Sequence, residues 1–501
     1  MPGISPFFFR IVTSLALAGL TVYLGFWVQR SDFQLFIAAY GLFFCIYVYL
    51  LFQAGWTAEH RRWLLALGIG LRVILLFSLP SFSDDFYRFL WDGRLAAQGI
   101  HPFAHTPAYF IENQIPLRGI TPELFQKLNS PQYYTVYPPV CQAVFWVAAK
   151  LFPQSVAGGV LVLKLFLLGC EIGTVMLLSK SQNVKGKSQN VKGRSQELPE
   201  SVPLLPPKRR FPGSALLTST SYILHVDFKK AAAVCYALNP LAILEIVGNC
   251  HFEGAMLCFL LAGLYRLRQS RPVSAAVWWA LAVASKLLPL MLLPIVLTGL
   301  SWRQGLRFLL AFGAVSVLLF LPLLDGQVMA NMAGSLNLYF RQFEFNASVY
   351  YLLKLAGEAL APPKMDVART LGPALGAVVF LSILGMALYL VFCRVWVFSC
   401  FRASGSPGLR GERFMVIALT LYLALATTVH PWYIVPLFGL SLLTPWRFPL
   451  VWTAAVALSY SHYAGGHFQE NYWLIGLEYM LVFFAAGRDV YRLTIDDYLI
   501  T

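Results

Sequence analysis

The sequence predicts an all-α protein built as a bundle of transmembrane helices, with about 11–14 spans. Hydrophobic residues make up 58% of the 501 residues and charged residues only 12%, whereas a soluble domain carries roughly 25% charged residues. Apolar runs close to the ~20 residues that span a bilayer recur along the chain. The clearest runs are Ile11 to Val28, Phe33 to Phe52, Trp63 to Leu79, Val156 to Leu178 and Leu371 to Val397. We therefore predict one membrane domain, residues 1–501, without a large soluble domain.

The net charge of +15 is carried by basic residues that cluster in short connections between the apolar runs. Such clustering is typical of the cytoplasmic loops of membrane proteins, which favours that interpretation over nucleic-acid binding. The other connections then face outward, and the largest of them is residues 81–136. Residues 180–230 are polar and basic and contain the repeat KSQNVKG twice. We predict that they form a flexible cytoplasmic loop.

Two segments leave the topology open. If residues 138–152 and 156–178 both crossed the membrane, the basic loop would lie outside. Either 138–152 is re-entrant, which we favour, or the loop breaks the charge rule, or a weak span lies near 211–228. A second segment, 273–299, is interrupted by a lysine and a proline. It forms either one tilted helix or two half-helices.

The large outward loop carries an acidic motif, SDDFYRFLWDGR, that includes Asp84 and Asp85. On an amphipathic helix at the membrane interface, Arg88 would lie beside Asp84 and Asp92, because residues four apart are neighbours on a helix. One of the paired aspartates could then act as a general base while Arg88 and Arg94 bind an anion. The alternative is that Ser83, Asp84 and Asp85 only cap the helix start and favour its dipole.

Polar residues also gather at other predicted outward ends. They are Asn249, His251, Glu253, Lys286, His430 and Tyr433. Histidines and aromatic residues at a membrane boundary are often only interfacial, and a lysine there can extend its amine to the surface. Ionisable groups at membrane depth are nevertheless costly and usually mark a functional site.

The outward segment 339–346 interleaves aromatic residues with Arg341 and Asn346. Aromatic rings and a few polar groups together suit a sugar, whose ring faces are apolar and whose hydroxyls need hydrogen bonds. The same composition suits a membrane interface. The residues of this segment do not decide between the two interpretations.

Six motifs within residues 80–435 together resemble those of one superfamily. They are SDDFYRFLWDGRLAAQGIHPF at 83–103, TVYPPVCQAVF at 135–145, ALNPLAILEIVGNCHFEGAM at 237–256, SKLLPLMLLP at 285–294, FNASVYYLL at 345–353 and TTVHPWY at 427–433. In this order they resemble bacterial GT-C membrane glycosyltransferases. The nearest resemblance is to polyprenol-phosphate-mannose-dependent mannosyltransferases, and a more distant one is to the catalytic subunit of GPI mannosyltransferase I. The chain departs from the family in having adjacent Asp-Asp instead of Asp-x-Asp, a third-span position for this motif, and the 180–230 insertion.

The resemblance implies a GT-C-like bundle with short interfacial helices in its outward loops. Asp84 and Asp85 would be the acidic motif, and one of them the general base. The donor would be a polyprenyl-phosphate hexose, with mannose as the sugar, and the acceptor a lipid or glycan. The residues expected to bind substrate and phosphate are Arg88, Arg94, Tyr137, Asn249, His251, Glu253, Lys286, Arg341, Asn346, His430 and Tyr433. The enzyme would invert the anomeric centre, and it would lie in a bacterial inner membrane with its site facing outward.

No cofactor is expected to be required, because cationic side chains can neutralise the donor phosphate. Two adjacent carboxylates could still bind a divalent cation. The eight cysteines form no CxxC pair and lie within or beside apolar runs, so we predict neither a disulfide framework nor a zinc site.

Two other functions compete with this one. A flippase or transporter of lipid-linked sugars would need polar groups across the midplane and ideally an internal repeat of spans. An O-antigen-type polymerase or ligase would be expected to use a large arginine-rich outward loop, which the acidic start of this loop does not favour. The residues do not identify the sugar, the acceptor, the base within the acidic pair, or the need for a partner subunit.

Overall fold

The computed structural model describes residues 6–53, 57–192, 228–360, 362, 366–396 and 407–498. Within these ranges the chain forms helices, and the only strand-like pairing is an isolated bridge between Phe345 and Thr428. The prediction of an all-α helical bundle is confirmed. Residues 193–227, the larger part of the predicted cytoplasmic loop, lie outside the described residues, and so does the side chain of Arg341.

Residues 6–192 supply the first set of helices. They are α1 (Pro6–Phe26), α2 (Phe33–Phe52), α3 (Ala58–Leu75), α4 (Asp85–Ala97), α5 (Pro107–Glu112), α6 (Pro122–Phe125), α7 (Pro139–Leu151) and α8 (Val156–Lys192). Helix α3 begins where the Thr57 hydroxyl accepts a hydrogen bond from the His60 N–H, which satisfies one of the free donors of a first turn. Helix α8 extends to Lys192, so the start of the predicted 180–230 loop is helical.

The middle of the chain contains two broken helical segments. Its elements are α9 (Phe228–Ala237), α10 (Pro240–Ala242), a π-helical turn (Ile243–Gly248), α11 (Glu253–Arg268), α12 (Pro272–Ser285), a 3₁₀-helix (Leu288–Leu292), α13 (Leu293–Thr298) and α14 (Trp302–Phe320). At Asn239-Pro240 the chain bends by 50°, because proline cannot continue the helical hydrogen bonds. At Lys286 the backbone is extended, with φ −156° and ψ 139°. Residues 273–299 therefore form two half-helices, not one tilted helix.

Residues 321–498 complete the bundle. Their elements are a 3₁₀-turn (Leu321–Leu323), α15 (Gly326–Gln342), α16 (Val349–Leu360), α17 (Val367–Trp396), α18 (Pro407–Leu425), a 3₁₀-turn (Pro431–Tyr433), α19 (Ile434–Ser441), α20 (Phe448–Ala455), a 3₁₀-helix (Val456–Gly466) and α21 (Tyr472–Tyr498). Across the described ranges, five helices are long and apolar enough to cross a membrane, and the bent pair at Asn239-Pro240 would be a sixth. The protein is a multi-pass membrane protein. The total of 11–14 spans would also need shorter or broken helices and stays a prediction.

The two ends of the bundle differ in composition. We call the end that holds residues 81–136 the loop end; there the Asn331 side chain donates to the Phe103 carbonyl oxygen at 2.9 Å. We call the opposite end the basic end; there Arg268, at the last turn of α11, pairs with Glu412 at 2.5 Å. The polar residues singled out from the sequence lie toward the loop end.

Helix α7 begins and ends at the loop end. Lys150 in its last turn donates to the Ala97 carbonyl oxygen at 2.8 Å. Just after the helix, the Gln154 carbonyl oxygen accepts from Arg94 at 3.0 Å. Both partners belong to α4, so α7 does not carry the chain to the basic end, and α8 makes that passage. These contacts support the re-entrant alternative for residues 138–152.

Helix α4 is enclosed by protein, unlike the interfacial helix expected from its amphipathic spacing. Trp91 and Asp92 are fully buried. Gly93 allows α7 to pack closely, since a Cβ at this position would lie 2.2 Å from the Phe145 carbonyl oxygen. Helical spacing shows which residues share a face, but it does not show which element covers that face.

A buried ion pair joins the broken segment to the rest of the bundle. Arg72 and Glu171 are fully buried and lie 2.8 Å apart. Glu171 also accepts from the Tyr236 hydroxyl at 2.6 Å. Arg72 donates to the Ala237 carbonyl oxygen at 2.5 Å, a group at the end of α9 that has no partner within its own helix. The pair thus satisfies the backbone at the bend.

Candidate active site

Asp84 and Asp85 have different partners at the start of α4. Asp84 stands at the N-cap position, but its side chain makes no cap hydrogen bond; it forms an ion pair with Arg30 instead. The Asp85 carboxylate accepts a hydrogen bond from the Asn129 amide at 2.8 Å. The Ser83 hydroxyl accepts from the Asp85 N–H at 3.3 Å, so the serine side chain, and not the Asp84 carboxylate, satisfies this N–H group at the helix start.

Arg30 was not among the residues chosen from the sequence. It lies in the connection between α1 and α2, and its guanidinium also stacks over the Tyr463 ring at 4.5 Å from the centroid. The sequence held a signal for Arg30, because this residue lies in the short connection between two consecutive apolar runs, one span before the basic start of α3. If basic connections are cytoplasmic, the connection that contains Arg30 is expected to face outward, and outward connections usually contain few arginines.

Arg88 and Arg94 hold the loop in place. Arg88 donates to Asp92 at 2.8 Å and to the Ser130 and Tyr133 carbonyl oxygens at 3.1 and 2.9 Å. Arg94 donates to the carbonyl oxygens of Gly119 and Gln154 at 2.7 and 3.0 Å. Both side chains are buried. Each arginine thus gives two hydrogen bonds to backbone carbonyl oxygens, whereas Arg88 Nη2 and Arg94 Nε are buried without a hydrogen-bond partner among the described residues.

Lys286 and Glu253 form a second ion pair, 2.9 Å apart. The extended backbone between the two half-helices directs Lys286 toward the Tyr137 ring, 5.5 Å from its centroid. The other Glu253 oxygen is buried and has no hydrogen-bond partner among the described residues. Burial, and to a smaller degree the charge of Asp85, raises the pKa of Tyr137 well above its ordinary value. Tyr137 is therefore a protonated hydrogen-bond donor.

His251 and Asn249 are anchored by the π-helical turn that carries Glu245. The Nδ1 atom of His251 lies 3.2 Å from the Glu245 carboxylate. Asn249 donates to the same carboxylate at 3.3 Å and accepts from the Phe82 N–H at 3.2 Å. His251 also stacks on Trp432, with ring centroids 3.7 Å apart. Its Nε2 atom is buried and unpaired within the described part of the chain.

His430 lies among aromatic rings. Its centroid is 4.4 Å from that of Trp432 and 4.5 Å from that of Phe345, and the edge contact with Tyr433 is 5.4 Å. Burial lowers the pKa of His430 to about 3, although the charge of Asp85 acts in the opposite direction. The imidazole is therefore neutral at pH 7. Its Nδ1 atom has no partner in the described ranges.

His462 is a second residue that the sequence did not single out. It is fully buried, and its ring centroid is 5.0 Å from that of Phe345. Neither ring nitrogen has a hydrogen-bond partner among the residues described. A histidine beside the apolar run of residues 448–460 looks interfacial in the sequence, so only the packing against Phe345 brings it to the site.

Asn346 contacts carboxylates at the C-terminal end of the chain. Its amide donates to Glu478 at 3.1 Å, and its backbone N–H donates to Glu470 at 2.8 Å. Arg341, which the sequence placed with Asn346, has a side chain outside the described residues.

The site therefore combines carboxylates, ion-paired cations and the neutral imidazole of His430 within a membrane bundle. Among the described residues no group of three or more His, Cys, Asp or Glu is arranged to hold a metal ion. The remaining groups can accept a proton, donate hydrogen bonds and compensate negative charge. Together with the fold, these groups fit a glycosyltransferase that works within the membrane.

The chain matches the family described as "Alpha-(1->6)-mannopyranosyltransferase, N-terminal domain" over residues 13–189 and 220–302. This match covers just over half of the chain, and the protein belongs to this family. It is an enzyme, a mannosyltransferase. The matched residues include Arg30, the acidic motif and Lys286, whereas His430 and His462 lie beyond them. No curated protein matches the chain.

Proposed function

We propose that the protein transfers a mannosyl group from a polyprenyl-phosphate donor to a lipid or glycan acceptor, with Asp85 as the general base. The observation that carries the assignment is the difference between the two aspartates. Asp84 is held by the Arg30 cation, while Asp85 is held by the neutral Asn129 amide. Accepting a proton would disrupt the ion pair of Asp84, but it would leave the neutral partner of Asp85 in place.

The reaction needs one proton removed and one anionic charge compensated. The acceptor hydroxyl attacks the anomeric carbon, its proton passes to Asp85, and the bond between that carbon and the phosphate oxygen breaks. Arg30 and Lys286 compensate the phosphate charge, since prepositioned cations act most strongly where water is excluded. The neutral imidazole of His430 adds a hydrogen-bond donor. Arg88 and Arg94 act by holding the loop.

The linkage that the family description names agrees with the proposed mannosyl transfer. Inversion of a β-linked donor gives an α-linked product, and the family description names an alpha-(1->6) linkage. With two cations at the site, we propose that no metal is required, although the adjacent aspartates could bind a divalent cation.

We place the active site on the outward face of a bacterial inner membrane. Charge is distributed unevenly between the two ends of the bundle, since the arginines of residues 266–271 lie at the basic end of α11, away from the acidic motif. Basic connections favour the cytoplasmic side. The acidic motif at the loop end is then outward, where a lipid-linked donor would present its sugar.

The test is transfer from radiolabelled polyprenyl-phosphate mannose to a membrane-lipid extract by the purified protein in lipid. Asp85→Asn should lower kcat by roughly 10²–10⁴-fold, the range for loss of a general base. Asp84→Asn should lower it much less. Asp32→Asn is the matched control, because Asp32 is a carboxylate of the same loop end that accepts from the Gln29 backbone N–H at 3.1 Å.

The competing results are distinct. Equal, small effects of both acidic-motif variants would exclude Asp85 as the base. If the wild-type protein binds the donor and transfers nothing from mannose or glucose donors, a flippase or transporter becomes the better description.

A further inference from the structure

Asn346 has an unusual backbone conformation that is held from three sides. Its φ is 50°, a left-handed value that asparagine tolerates better than most residues. The residue is fully buried. Its N–H donates to Glu470 at 2.8 Å, and its carbonyl oxygen accepts from the Tyr479 hydroxyl at 2.7 Å. The side-chain amide donates to the two Glu478 oxygens at 3.3 and 3.1 Å.

Glu478 is a buried carboxylate on α21 that faces hydrogen-bond donors. It is fully buried. Besides Asn346, it accepts from the Trp452 indole N–H at 2.9 Å. Ionisable groups buried in a membrane bundle are costly and are retained where they have a role. The proposed mechanism has no use for Glu478 as an acid or base.

Phe345, the residue before Asn346, connects the Glu478 contacts to the candidate site. Phe345 donates its N–H to the Thr427 carbonyl oxygen at 3.1 Å and accepts from the Val429 N–H at 2.8 Å. These bonds form a short backbone pairing, and the next residue after Val429 is His430. The Phe345 ring also touches the His430 imidazole, with centroids 4.5 Å apart.

We propose that Glu478 is a positioning residue: through Asn346 it fixes the backbone pairing of Phe345 with residues 427–429 and so the orientation of His430. This inference rests on the proposed function of His430. Glu478 lies outside the residues that match the family, 13–189 and 220–302. The last helix thereby contributes to the site without contacting substrate.

A glutamate suits this position better than a glutamine. Both neighbouring side-chain groups, the Asn346 amide and the Trp452 indole, are donors. A carboxylate offers two acceptor oxygens, whereas glutamine offers one oxygen and turns an NH₂ group toward a donor. Glu478→Gln keeps the volume and breaks part of this arrangement.

The test is a double-mutant cycle between Glu478→Gln and His430→Ala, with kcat and the donor KM measured for mannosyl transfer in lipid. Glu478→Gln alone should lower kcat by roughly 10- to 100-fold, the scale for a misplaced catalytic group, while KM changes by less than about threefold. In the His430→Ala background the same substitution should lower kcat by less than about twofold, because coupled residues are non-additive.

Two further variants keep the test decisive. Asn346→Gly removes the amide but suits the positive φ, so it should reproduce the coupling with His430→Ala even if Glu478→Gln folds poorly. Asp489→Asn is the matched control on the same helix, since Asp489 is buried and accepts from the Phe448 N–H at 2.8 Å near the basic end. Its effect should be the same in both backgrounds.

Each contrary result has one meaning. If Glu478→Gln lowers kcat by the same factor in both backgrounds, its role is general stability and the positioning role is overturned, while a strong His430→Ala defect would leave the proposed function intact. If His430→Ala leaves kcat unchanged, His430 has no part in the proposed mechanism, and the positioning role of Glu478 is overturned as well.

Discussion

Two walls of the candidate site differ in chemistry. One, the charged wall, comes from residues up to 302 and contains Asp85 with the Arg30–Asp84 and Lys286–Glu253 ion pairs. The other, the imidazole wall, comes from the later part of the chain and contains His430 and His462 among aromatic rings. Groups that change or compensate charge thus lie mainly on one wall, and groups suited to stacking and hydrogen bonding lie mainly on the other; His251, which stacks on Trp432, joins the two.

The separation has a physical reason. Charged groups at membrane depth need partners of opposite charge and hydrogen bonds, or burial would neutralise them. Neutral imidazoles can lie among aromatic rings without such partners. Substitutions in the charged wall should therefore reduce the chemical step most, and substitutions in the imidazole wall should reduce it less.

Among substitutions of the residues that compensate charge or donate hydrogen bonds, the largest effect is expected for Lys286→Met. It removes a cation from the donor phosphate and leaves the Glu253 carboxylate buried without its ion pair. We expect kcat/KM to fall by roughly 10³-fold, measured with the polyprenyl-phosphate mannose donor. The double variant Lys286→Met with Glu253→Gln should recover folding, because the unpaired charge is gone, yet stay inactive. Recovery of activity in the double variant would mean that Lys286 does not contact the phosphate.

A smaller loss is expected for His430→Phe, which keeps ring stacking and removes the hydrogen-bond donor. We expect kcat to fall by about 10²-fold, the scale for loss of one donor to a developing negative charge. His430→Gln keeps an N–H group and should be less impaired than His430→Phe. The reverse order of the two variants would show that stacking, not donation, is the role of this side chain.

The pH dependence of stability should come from the imidazole wall. Burial lowers the pKa of His430 to about 3 from its ordinary 6.5, so between these values the folded protein binds fewer protons at this site than the unfolded chain. Stability should therefore fall as the pH falls from 6.5 toward 3. His430→Gln should make this fall in melting temperature smaller by about 4 °C. An identical pH slope in the variant would contradict the burial of a neutral imidazole.

The smallest effect on the chemical step is expected for Arg94→Lys. A lysine cannot reproduce the forked contacts with the Gly119 and Gln154 carbonyl oxygens, so the melting temperature should fall. The kcat of folded protein should change by less than about threefold. A larger loss of kcat at full folding would return Arg94 to the phosphate-binding residues, where the sequence placed it.

Much of the fold could be predicted because each apolar helix is encoded locally. Runs of about twenty apolar residues are suited to a bilayer whatever their neighbours are, and the acidic motif was visible as a polar exception at the end of such a run. The function of the arginines in that motif was not visible. Arg88 and Arg94 look like anion ligands in the sequence, but each also gives two hydrogen bonds to carbonyl oxygens of residues 119–154.

The broken helices show the same limit. The sequence left residues 273–299 open between one tilted helix and two half-helices, and the backbone is extended at Lys286. The bend at Pro240 was not predicted. The sequence could not show that α7 returns to the loop end, since that depends on contacts between Lys150 and Ala97 across the fold.

By itself, the sequence determined the membrane class, the helical bundle and the acidic motif, because these depend on short apolar and polar patterns. Only the tertiary structure decided which polar groups meet. Arg30 reaches Asp84 across 54 positions, and Asn346 reaches Glu478 across 132. Side chains so far apart in the chain meet only after the helices pack, because their pairing follows from helix placement and not from any local pattern.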